Sequence, residues 1–124
     1  MAGASGSYHE PEDKLTEQTR DLHRALVSLQ EELEAIDWYQ QRVEAASDPE
    51  LAEILKHNRD EEKEHAAMVL EWIRRHDEKF DAVLREYLFH TGPIVGREAA
   101  AMGRNGQAPD AGPSTTVGSL RRAK

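Results

Sequence analysis

From Lys14 to Ala46 the chain contains neither glycine nor proline, and strong helix formers dominate the stretch. Nothing in that run can turn the chain back on itself. On a wheel of about 100° per residue, Leu15, Leu22, Leu26, Leu29, Leu33 and Ile36 share one side. The pattern predicts a first helix over Asp13–Ala45. Ser47-Asp48-Pro49-Glu50 then reads as a stop and a restart. Either Ser47 caps with Glu50 as a capping box, or Asp48 caps with Pro49 at the first helical position. A second helix is predicted over Pro49–Arg75, with Leu51, Ile54, Leu55, Val69, Trp72 and Ile73 on one face. So short a turn makes the two helices an antiparallel hairpin. A shorter third helix is expected over Asp77–Phe89, its apolar side formed by Phe80, Val83, Leu84, Tyr87 and Leu88, with Gly92-Pro93 ending it.

Two such helices enclose no interior. Hydrophobic residues make up 38% of the 124-residue chain and charged residues 32%. A chain this polar buries only a thin stripe, so its core is expected to be finished by a partner. There are no cysteines, which excludes disulfides, thiolate metal sites and cysteine nucleophiles. No run reaches the length of a membrane span, and MAGASGSYHEPE lacks the apolar segment of a signal peptide. The expected location is the cytoplasm. Residues 1–90 hold 22 acidic residues against 11 basic, whereas residues 91–124 hold 2 against 5. The acidic part should repel nucleic acid and attract cations. Residues 1–12 read as a disordered lead-in, 13–92 as the helical domain, and the Gly/Pro-rich 93–124 as a flexible tail.

The second helix carries polar residues where core residues belong. Glu62 falls within the apolar stripe, between Leu55 and Val69, and His65 lies one turn further, close to Ile54 and Trp72 in angle. Asn58 shares this face, while Glu61 and Glu64 point progressively away. A carboxylate so placed needs a proton, a cation or a metal. Glu62-x-x-His65 sets a carboxylate and an imidazole one turn apart on one side of a helix. Di-iron bundles use that arrangement, with a further Glu from each of two other helices. Glu32, flanked by Leu29, Ile36 and Tyr39 at the margin of the first stripe, is the candidate; Glu31 and Glu34 are not. Carboxylate oxygens suit hard Fe(III) and imidazole suits Fe(II). A full site needs two Glu helices and two Glu-x-x-His helices, and this chain offers one of each. Two hairpins packed face to face would complete a four-helix bundle with two irons per dimer. The plainer alternative pairs Glu62 with Arg59 or Lys63 and gives it no further role.

The segments EELEAIDWYQQR (Glu31–Arg42), HNRDEEKEHAAMVLEWIRR (His57–Arg75), YLFHTGPI (Tyr87–Ile94) and TVGSLR (Thr116–Arg121) resemble the encapsulated ferritins. The resemblance implies an all-α, two-helix ferritin-like protomer with a short third helix, dimerising around a ferroxidase centre, with the dimers assembled into a ring of five. It implies oxidation of Fe(II) by O2 inside an encapsulin shell, where the shell does the storing. The family's iron ligands fall on Glu32, Glu62 and His65, and its nearby tyrosine on Tyr39.

Two further stripes gain meaning from this likeness. Val27, Glu31, Glu34 and Trp38 run along the first helix about opposite Leu22 and Leu26; read alone they are a solvated face or a second interface. The resemblance makes Glu31, Glu34 and Trp38 a route for metal between dimers; whether calcium also occupies it stays open. His57, Glu61 and Glu64 correspond to a weaker outer metal site, or else to ordinary surface. In the tail, Val117, Gly118, Ser119, Leu120 and Arg121 place an apolar pair on a tether, the form of an extended-peptide ligand. The resemblance makes this an encapsulin-targeting peptide. Two other functions stay open: a rubrerythrin-like peroxide scavenger, disfavoured because no rubredoxin-type cysteines are present, and a non-enzymatic acidic helical adaptor.

Overall fold

The computed structural model describes residues 7–97, and every regular element among them is helical. A single 3-10 turn, Glu12–Lys14, precedes α1 (Glu17–Ala45), α2 (Pro49–His76) and α3 (Glu78–Tyr87). The chain divides into two compact units at His76/Asp77.

The first unit is the hairpin. α1 begins later than the apolar stripe predicts, because Leu15 is extended and Thr16 caps the helix, its Oγ1 accepting from the Thr19 N–H at 3.1 Å. Leucine periodicity runs through this junction without registering it, whereas a hydroxyl three residues before a free amide decides where the helix starts. Residues 7–12, expected within a disordered lead-in, are tied to α1. The Tyr8 ring lies 4.4 Å from that of His23, and Arg20 donates to the carbonyls of Glu12 (2.9 Å) and Leu15 (2.7 Å). At the other end Asp48 supplies the cap of α2, accepting from the Leu51 N–H at 2.9 Å, with Pro49 first in the helix. Of the two caps the sequence allows, the second forms. Each long helix extends about 43 Å at 1.5 Å per residue, and the two pack along their lengths.

What the hairpin leaves uncovered matters more than what it buries. Among the described residues only Ala66 and Ile73 are buried apolar side chains, while Leu33, Ile54 and Met68 are each more than half exposed. One hairpin satisfies part of each stripe and presents the rest to solvent.

The second unit contains α3. Asp77 caps it, accepting from the Phe80 N–H at 2.8 Å, so the helix starts one residue later than expected. It ends at Tyr87 and not at Phe89: Leu88 is extended and Phe89 has φ 62°. The helix therefore stops before Gly92, whose φ of 93° follows in the loop. No described helix is long and apolar enough to cross a membrane.

Candidate metal centre

α1 carries Glu32 to the hairpin seam opposite Glu62 and His65 of α2. The i, i+3 spacing on a continuous helix puts the last two one turn apart on one side. His65 Nδ1 lies 3.3 Å from Glu62 Oε1 and 3.7 Å from Glu32 Oε1, so one ring nitrogen faces both acids. One ligand atom from each residue can be chosen with all three inside 4.8 Å of one another. Among the described residues no other three His, Asp or Glu side chains gather this closely. The two carboxylates are about three-quarters buried, and the imidazole is 42% exposed.

The electrostatics follow from that closeness. A hydrogen bond between the two carboxyl groups, aided by burial, raises the pKa of Glu32 above the ordinary carboxylate value. The same bond and His65 lower Glu62. The two acids are thus pushed in opposite directions, Glu32 toward holding a proton and Glu62 toward the ionised form. Its bond to Glu62 raises His65. Two acids and an imidazole gathered this closely attract positive charge. Hard oxygens with one imidazole are a donor set suited to iron, zinc or manganese more than to a thiophilic ion. Three ligands leave a six-coordinate metal half satisfied.

The alternative partners of Glu62 are engaged elsewhere. Arg59 binds Asp60 at 2.9 Å and, across the hairpin, Gln40 at 2.8 Å, while Lys63 lies 3.6 Å from Asp60. Gln40 is the feature that sequence reading missed, since a glutamine at the margin of a helix has no signature until its cross-helix partner is known.

Of the remaining candidates only Glu61 borders the cluster, through His65. Tyr39 is half-buried, two turns along α1 from Glu32, with the Arg42 guanidinium 5.3 Å from its ring centroid. Glu31 and Trp38 are exposed and Glu34 is partly so. His57 Nε2 lies 3.9 Å from Glu61 Oε2, and Glu61 Oε1 lies 4.0 Å from His65 Nε2, while Glu64 borders a shallow groove with Met68 and Trp72. Val117, Gly118, Ser119, Leu120 and Arg121 lie outside the described residues.

A family model described as EncFtn-like matches residues 7–91. The chain belongs to the encapsulated ferritin-like family. An encapsulated ferritin-like protein of Rhodospirillum rubrum is 58% identical over 117 residues, covering 94% of this chain and 84% of that one. An encapsulin nanocompartment cargo protein of Myxococcus xanthus, EncC, is 35% identical over 82% of this chain and 86% of its own length. Among solved structures, a Nitrosomonas europaea protein superposes with a TM-score of 0.70 at 62% identity, over 72% of this chain and 98% of that one. As an encapsulated ferritin-like chain, this one has only helices among the regular elements of its described residues, with the acidic triad inside the matched region.

Proposed function

We propose that this protein is a ferroxidase, oxidising Fe(II) with O2 at a di-iron centre shared between two copies. The observation that carries the reading is the convergence of Glu32, Glu62 and His65 at the seam. Iron is the substrate. Fe(II) meets the demand of the clustered acids for positive charge, and their oxygens then favour the harder Fe(III) product. Each Fe(II) yields one electron, so two ions held side by side supply O2 with a pair, which with two protons from water reduces it to H2O2.

Each chain contributes one Glu helix and one Glu-x-x-His helix, half of the bundle set. A second hairpin placed face to face completes the ligands, gives two irons per dimer, and covers apolar side chains such as Ile54. In this reading residues 13–92 form the ferritin-like unit. Dimers assemble further, as a ring of five, with Glu31, Glu34 and Trp38 along the route by which iron or calcium approaches. His57, Glu61 and Glu64 form a weaker outer site, and Tyr39 assists from beside the ligands. Residues 93–124 tether the protein to an encapsulin shell through Val117–Arg121, so that oxidised iron is stored in the shell. The names of the Rhodospirillum and Myxococcus relatives support the cargo role.

Glu62→Ala and His65→Ala should each abolish most Fe(II) oxidation while leaving helical content unchanged by circular dichroism. Wild-type rates from either folded variant would overturn the assignment. A preference for H2O2 over O2 in the same assay would instead favour peroxide scavenging.

A further inference from the structure

We propose that Gln40 holds Arg59 away from Glu62 and so keeps Glu62 free to bind metal; this rests on reading Glu62 as a metal ligand. Arg59 stands one turn before Glu62 on α2, the i, i+3 spacing at which a guanidinium and a carboxylate ordinarily meet. Such a pair would be harmful at a metal centre, because arginine never gives up its charge and would compete for the same oxygens. The guanidinium is instead turned aside. Its Nε donates to Asp60 Oδ1 at 3.0 Å, and a terminal nitrogen donates across the hairpin to Gln40 Oε1 at 2.8 Å. The Arg59 side chain is only 15% exposed, so it is held in this position by its surroundings as well.

Gln40 is itself held in one orientation. Its amide nitrogen donates to Glu44 Oε2 at 2.8 Å. A guanidinium can only donate and a carboxylate can only accept, so the amide oxygen must face Arg59. The chain Glu44–Gln40–Arg59–Asp60 thus restrains the cation by two acceptors, one on each long helix. Gln40 does this without adding a charge that would compete for iron. Gln40 is therefore a positioning residue.

The test is anaerobic titration of the full-length protein with Co(II), a redox-stable probe of carboxylate–imidazole sites, followed by its visible absorption. Gln40→Ala should weaken Co(II) binding roughly fivefold, about the effect of a partly exposed ion pair formed at Glu62. Removing the cation as well, in Gln40→Ala/Arg59→Gln, should restore wild-type affinity. Unchanged affinity in Gln40→Ala would overturn the proposal. So would a loss that the double variant does not rescue, because that result describes a strut between helices and not a restrained competitor. Should Gln40→Ala fail to fold, Arg59→Gln alone must bind Co(II) at least as tightly as wild type, and weaker binding would overturn the idea. If the wild-type protein shows no Co(II) binding that Glu62→Ala removes, the metal-site reading fails and this inference with it. Glu62-dependent binding unaffected by Gln40 sinks the inference alone.

Discussion

His65 turns Nδ1 toward both carboxylates and Nε2 toward Glu61, which gives the two nitrogens different work. On the proposed reading, Nδ1 is the donor offered to a metal, and a proton on it is the competitor. Glu62 raises the His65 pKa above the ordinary 6.5, so protons compete at higher pH than for a free histidine. Metal affinity should therefore fall on acidification through that raised value, with proton release on binding measurable by titration in two buffers of different ionisation enthalpy. The metal-free protein should show the opposite trend. A histidine with a raised folded pKa stabilises fully below its unfolded value and loses that contribution as pH rises through the folded one. Melting of metal-free protein should consequently shift slightly downward across that window, and His65→Gln should remove the shift. That Glu32 and Glu62 would meet beside His65 across the hairpin was legible from angle alone, because both fall within or beside a leucine stripe. Gln40 was not legible, since its meaning depends on a side chain nineteen positions away in sequence.

Caps decide where the helices begin. Thr16 and Asp48 each satisfy an otherwise unpaired amide, so Thr16→Ala or Asp48→Ala should cost about 1 kcal/mol of stability, read as a lower urea midpoint with the Co(II) spectrum unchanged. In the last turns of α2, Arg74 and Arg75 both grip Glu71 and hold its pKa at about 2. A depressed folded pKa contributes stability above the unfolded value and loses it as pH falls toward the folded one. Helicity lost between roughly pH 4.5 and pH 2 should include this pair, and Glu71→Gln should flatten that part of the acid titration. The hairpin itself was readable from an uninterrupted run and a tight Ser-Asp-Pro-Glu turn. The start of α1 was not, because Leu15 continues the apolar period while its backbone is already extended. Periodicity records what a face packs against, and backbone hydrogen bonding sets where the helix stops.

A protomer with so little fully buried apolar area is marginal by itself. Ile54, close in angle to His65 and half-exposed, belongs to the surface a second hairpin would cover. Ile54→Glu should shift the protein toward monomer in sedimentation velocity and weaken Co(II) binding together, whereas Leu88→Glu in the second unit should leave Co(II) binding intact. Removing Val117–Arg121 should abolish recovery with an encapsulin shell on co-expression without slowing Fe(II) oxidation in solution.

On the proposed reading, the split of the ligands between Glu32 on one helix and Glu62 and His65 on the other has a genetic consequence. If one copy cannot build a centre alone, a defective allele does more than withdraw its own product. In a cell expressing both forms, each damaged chain that pairs with a sound one occupies half of its ligands, and most mixed dimers are lost to catalysis. Loss-of-ligand alleles should therefore behave as dominant, while alleles that unfold the chain before it can pair should be recessive.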